Sequence, residues 1–161
     1  MTAPVITNRQ KPLGKMIKDG HNSLITLSNI PNAPFWERSV KPFGYEGGDG
    51  IDITTMHSEV LRQTAPRSLI TTSPISGTCG YDPARLDIIR GQINKEQTVT
   101  IAWKSGDAAA AYGFLKSFQP SDNKEGDLPQ AQFEIVLTNT DPITGEEELP
   151  VFSRSSGTGS A

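Results

Sequence analysis

A single cysteine, Cys79, stands among 161 residues, which excludes an intrachain disulfide and with it the small bridge-held secreted scaffold. Histidine is almost as scarce. His21 and His57 lie far apart and outside any C-x-x-C or H-E-x-x-H pattern, so neither spacing offers a metal site. Phosphate-binding signatures are missing too: Gly14-Lys15 is followed by Met16 and lacks the upstream glycine of a P-loop. Serines are many, yet no G-x-S-x-G turn presents one as a nucleophile. The acidic run Asp141–Glu148 lacks the oxygen spacing of a calcium loop and reads as a solvated surface. No apolar run has the length of a membrane span or of a signal-peptide core. The opening M-T-A-P-V-I-T-N-R-Q is polar and proline-broken, so the expectation is a soluble chain that folds or assembles where it is made. These absences predict no enzyme, no metal and no cofactor.

Hydrophobic residues make up only 35% of the chain, while Gly 15 and Pro 12 punctuate it often, which predicts a modest core with long connections. The net charge of −3 excludes bulk electrostatic binding of nucleic acid. Its distribution is uneven. Arg9, Lys11, Lys15 and Lys18 face only Asp19 in the first twenty residues, whereas eight acids face Lys124 between Ser121 and Glu148. Basic at one end and acidic at the other suits head-to-tail contacts between copies, although two plain solvated flanks would look the same.

What is present is β pattern. Ser23–Asn29, Phe35–Lys41 and Ile51–His57 alternate as strands, and Leu69–Cys79 forms another with a break at Pro74. One helix is expected over about 82–94: Asp82 is the N-cap, Pro83 the first helical residue, and Leu86, Ile89 and Ile93 recur on one face. Gln97–Lys104 and Ala108–Gln119, joined by Ser105-Gly106-Asp107, form a hairpin signal. Val99, Ile101 and Trp103 are expected on one core face, with Tyr112, Phe114 and Phe118 on another. Trp36 reads as a core residue as well, and Cys79 as a buried small side chain. Gln130–Asn139 alternates cleanly and closes the series; the residues after Thr140 read as a turn and a flexible tail. The fold class is mainly β: an antiparallel sandwich or barrel with one flanking helix and long loops. One domain over 21–140 would carry an extended arm, 1–20, and an acidic tail, 141–161.

The segment Glu46–His57 combines a glycine hinge with a strand and holds nothing reactive. Glu46 and Asp49 would repel an anion there, and no helix follows to add its dipole. Such a segment shapes a surface rather than a catalytic site.

In order, D-G-H-N-S-L-I-T-L at Asp19–Leu27, F-W-E at Phe35–Glu37 and G-G-D-G-I-D-I-T-T-M-H at Gly47–His57 form a distinctive series. It continues with A-P-R-S-L at Ala65–Leu69, Y-D-P at Tyr81–Pro83, Y-G-F-L-K-S-F-Q-P at Tyr112–Pro120 and P-Q-A-Q-F-E-I-V-L-T-N at Pro129–Asn139. This series, over residues 19–140, resembles major tail tube proteins of long-tailed, non-contractile bacteriophages; tubes of contractile tails and of type VI secretion look similar in architecture. The resemblance implies hexameric rings stacked into a hollow tube, with strands of the six subunits joined in one barrel around the lumen. Implied partners are further copies of itself, a tape-measure protein in the lumen, and tail terminator and baseplate or tip proteins. DNA would pass without specific binding, no membrane is involved, and the location is the virion, with synthesis in the host bacterial cytoplasm. The immunoglobulin-like C-terminal domain of some members has no counterpart in these residues.

On that reading Gly44, Tyr45, Gly47, Gly48, Asp49, Gly50, Arg62 and Arg67 belong to loops that touch neighbouring subunits. Thr98, Thr100, Gln132, Glu134 and Thr138 are small or polar residues suited to a wet lumen. The basic arm and acidic tail would pack on adjacent rings. A monomeric carbohydrate-binding module using Trp36 or Tyr45 is the alternative, and a hydrolase centred on His57 a distant third.

Overall fold

The computed structural model describes residues 21, 23–32 and 35–154. The arm expected over 1–20 lies outside the described residues. Among the described residues eleven strands occur in chain order: β1 (Leu24–Leu27), β2 (Phe35–Lys41), β3 (Tyr45–Glu46), β4 (Ile51–Asp52), β5 (Thr64–Ala65) and β6 (Thr71–Thr72) come first. β7 (Ile75–Tyr81), a 3-10 turn at Pro83–Arg85, α1 (Leu86–Arg90), β8 (Gln97–Ala102), β9 (Ala108–Pro120), β10 (Gln130–Leu137) and β11 (Val151–Ser153) follow.

One antiparallel sheet dominates, in the order β1-β8-β9-β10-β7-β2, with β11 added beside β9. The sheet curls far enough to bring its two ends, β1 and β2, together. There the Ile25 amide donates to Glu37 Oε1 at 3.0 Å, so a side chain spans the seam that no ladder closes. Alternation decides which face goes inside. Ile25 and Leu27 of β1, Val99 and Ile101 of β8, Ala131, Phe133, Ile135 and Leu137 of β10, and Ile75 and Cys79 of β7 fill the interior. Ile89 of α1 is 1% exposed and joins the same core, so the short helix plugs an opening of the curl.

β9 is long because it serves two partners on one edge. Its first half pairs with β8 on one side and β11 on the other; its second half pairs with β10. Ahead of the start of β8, Asn94 donates its amide to the Leu115 carbonyl of β9, at a positive φ of 62°. A bulge at Lys116 shifts the β9–β10 register between Glu134 and Ile135. That shift turns Phe118 inward, against Tyr81 at 5.7 Å between ring centroids, and leaves Tyr112 and Phe114 half-buried on the opposite face. The expectation that all three aromatics share the core is corrected accordingly.

Three further expectations change. The strand over Ile51–His57 shrinks to Ile51–Asp52, because the Asp52 carboxylate accepts the Thr54 amide at 2.9 Å and turns the chain. The helix runs only from the 3-10 turn to Arg90; Asp82 does cap it, through the Ala84 amide at 3.0 Å, Gly91 is its C-cap with helical dihedrals, and Asn94 turns the chain away at a φ of 62°. The turn expected after Thr140 is present, with Gly145 donating to Asp141 and Asp141 to Glu146, but Val151–Ser153 then forms β11 against Ala108–Ala110 where a tail was expected. Pro74 breaks Leu69–Cys79 into β6 and β7 as its missing N–H requires.

Candidate functional site

Between β2 and β7 the chain leaves the sheet as one long hairpin, residues 42–74, built from two minimal ladders. Tyr45–Glu46 pairs with Thr71–Thr72 at its base, and Ile51–Asp52 pairs with Thr64–Ala65 farther out. The base is fixed to the sheet: the Gly44 amide donates to Ser73 Oγ at 2.7 Å, and Asn139 Nδ2 donates to Thr72 Oγ1 at 2.8 Å. Phe43 packs on both Tyr45 and Phe152, tying the hairpin to β11.

Every predicted loop residue lies in this hairpin, and several hold it in shape. Gly48 has φ +75°, a left-handed conformation that favours glycine, and the Arg67 side chain lies over it. Arg67 Nε donates to the Asp49 carbonyl at 2.7 Å. A Cβ on Gly50 would strike the Thr64 methyl, so the outer ladder closes only on glycine. Gly47 has open space beside it. Arg62 pairs with Asp52 at 3.5 Å, both exposed, a contact worth little by itself. The hydrogen bond from Thr54 holds the Asp52 carboxyl below its ordinary pKa.

At the tip, Gln63 donates to Thr54 Oγ1, Ile53 to the Gln63 carbonyl, and Ser58 to the Thr55 carbonyl. His57 sits at this exposed tip, beside Thr55 and Ser58. Among the described residues no group of three or more His, Cys, Asp or Glu is placed to hold a metal.

The sequence reading missed the side chains that this backbone displays. Met56 is 100% exposed, Val60 89%, Leu69 83%, Leu61 77% and Ile70 67%, with Ile51, Ile53 and Tyr45 about half exposed. Beyond the aromatic packing at its base, the arm is held by short ladders, hydrogen bonds and one exposed ion pair, and an isolated two-stranded ribbon is marginal in water. This many exposed apolar side chains on one arm mark an interaction site. Counting the apolar residues between Ile51 and Ile70 that match neither strand nor helix period would have revealed it.

The five residues expected on a polar face do share the outer face of the sheet, but in two patches. Gln132 and Glu134 lie beside Ser117, Gln119, Ser76 and Thr78 in a shallow polar hollow, where Lys116 Nζ bonds Glu134 Oε1 at 3.2 Å. Thr98 and Thr100 lie beside Tyr112 and Ala110 at the other end of β9. Half-buried Phe114 and Val136 pair between the two patches. Glu148, Leu149 and Val151 cross over next to Thr98. Thr138 follows β10 and bonds Thr140.

The aromatics of the alternative reading do not meet. Trp36 is 60% exposed near one end of β2, a correction of its expected burial, and Tyr45 is 55% exposed beyond the other end. The rest of β2 and a three-residue link, residues 42–44, separate them, so they lie on different elements.

No family model matches the sequence, and neither does any curated protein. Solved structures do share the fold. A chain in the tail of an empty gene transfer agent particle, refined with C6 symmetry, is 14% identical and has a TM-score of 0.58. The match covers 85% of this chain and 99% of that one. A chain of an extracellular contractile injection system, a PVC sheath-tube complex in the extended state, is 13% identical at a TM-score of 0.57, covering 88% and 94%. A chain of the 6-fold symmetrised baseplate of the anti-feeding prophage is 11% identical at 0.52, covering 82% and 91%. This chain thus has the mainly β fold found in the tails and tubes of phage-like particles.

Proposed function

We propose that the protein is a structural subunit that polymerises into stacked hexameric rings forming the tail tube of a phage or phage-like particle. The observation that carries this reading is the 42–74 hairpin, which displays five largely exposed aliphatic side chains on a self-bonded backbone. Exposed apolar side chains grouped on one arm mark a surface that a partner covers. Copies of the same chain, related by a ring and stack, would supply the cover at every subunit. The fold shared with a chain of a C6 tail supports sixfold rings.

In this scheme Gly44–Gly50 and Ser58–Ser68 contact neighbouring subunits, and the outer-face residues Thr98, Thr100, Gln132, Glu134 and Thr138 face the lumen. Glu134 is paired with Lys116 and the rest are neutral, so such a wall would hold phosphates weakly. The lumen would hold a tape-measure protein and later pass DNA, with terminator and baseplate or tip proteins at the tube ends. Neighbours of the fold include a contractile sheath-tube complex, so the non-contractile assignment rests on the motif series alone. No catalysis is assigned.

Negative-stain microscopy and size-exclusion chromatography of concentrated protein test the proposal. Hollow tubes or rings are expected; a compact monomer at every concentration would refute it.

A further inference from the structure

A second exposed apolar site lies away from the hairpin, at the end of β2. Trp36 is paired in register with Gly80, and a Cβ on Gly80 would come within 2.6 Å of Leu128 Cδ2. Paired residues of an antiparallel ladder project to the same side, so Leu128 lies over the bare Gly80 backbone beside Trp36. Both are open to solvent, Trp36 at 60% and Leu128 at 58%. The loop that delivers Leu128 carries Asp122, Glu125 and Asp127 against Lys124 alone, and all four side chains are exposed. The result is an apolar pair with an acidic rim.

One segment of the chain matches it. Residues 1–20 carry Arg9, Lys11, Lys15 and Lys18 against Asp19, with Leu13, Met16 and Ile17 set between the basic positions. We propose that the N-terminal segment of a neighbouring copy docks here, its aliphatic residues on Trp36 and Leu128 and its cations on the 122–127 loop. A neighbouring copy is chosen because one charge-complementary contact repeated from copy to copy is what a head-to-tail assembly requires. The identity of the neighbour as the next copy in an assembly rests on the proposed tube; the docking itself does not.

The test uses the full chain at concentrations where it is monomeric and a dye-labelled synthetic peptide of residues 1–20. Saturable binding read by anisotropy is expected, with a blue shift of Trp36 emission in a Trp103→Phe background. W36S, L128S and the charge reversal D122K/D127K should each weaken binding about tenfold, the loss typical of truncating an interface anchor. Raised salt should weaken it further. Circular dichroism establishes that the variants remain folded, as substitutions at exposed positions should. Three results would overturn the proposal: no saturable binding, binding indifferent to these variants, or a Trp36 shift produced by oligosaccharides and not by the peptide. Tube formation is scored separately, so tubes without peptide binding would refute the dock alone, and binding without tubes would refute the tube alone.

Discussion

Replacing Leu61 and Leu69 by serine separates assembly from folding. Both side chains are on the hairpin, 77% and 83% exposed, and neither belongs to the buried core. Fully burying a leucine contributes about 1.5–3 kcal/mol, so covering what these two expose contributes roughly 3–5 kcal/mol for the pair. At about 1.4 kcal/mol per tenfold, losing that term raises the concentration needed for assembly by about 10²–10³. The isolated subunit should not notice, because surface substitutions away from special features change stability by about 0.5 kcal/mol or less. For a chain of this length that is a Tm shift of about 1–2 °C. The assay pairs light scattering across a concentration series with thermal melting of the dilute protein. Unchanged assembly would refute the assignment of the hairpin to subunit contacts. A large fall in Tm would refute the claim that these side chains contribute little to the free fold.

Other consequences concern the fold itself. Gly77→Ala places a Cβ against the Ser39 carbonyl and 3.0 Å from Phe133, where backbone cannot yield; about 1–3 kcal/mol of stability should be lost, visible as a lower urea midpoint. Ile135→Ala removes a fully buried side chain at the centre of β10 and should cost about 2–5 kcal/mol by the same measurement. Burial first, and the nearby Glu37 charge second, push the Cys79 thiol up to about 12 from 9.0. Iodoacetamide at pH 8–9 should therefore label only unfolded protein. The native state then binds more protons than the unfolded state above pH 9, so stability from this group falls as pH rises through that window toward 12. Cys79→Ala should flatten that part of the pH profile; an unchanged slope would count against it.

The sheet was legible in sequence because alternation over β2, β8, β9 and β10 is long, and one buried face enforces it. Phe35–Lys41 appears at the expected residues, and Asp82 caps the helix as its position suggests. The errors occur where geometry depends on partners that sequence does not display. The Lys116 bulge reverses the faces of β9, so Phe118 turns inward and Tyr112 does not. Trp36 was expected inside because tryptophan usually is, but it sits on a terminal strand of the sheet, opposite Gly80, and is 60% exposed. Ile51, Ile53 and Thr55 alternate without a sheet beneath them, so pattern alone suggested a strand. β11 is three residues long and held by the edge of β9, too short to signal itself. Of the candidate surfaces, the glycine-rich segment was readable as a loop without reactive groups, whereas the apolar side chains displayed around it were not. Thr98 and Thr100 on β8, and Gln132 and Glu134 on β10, were legible as small or polar strand positions, and their separation into two patches follows from the path of β9.

A three-dimensional reconstruction of the assembled protein tests the central claim most directly. The expected density is a hollow tube of stacked rings, with residues 44–73 seated on adjacent copies and Gln132 and Glu134 lining the channel. A solid filament, or a tube in which Met56, Leu61 and Leu69 project into solvent, would contradict it.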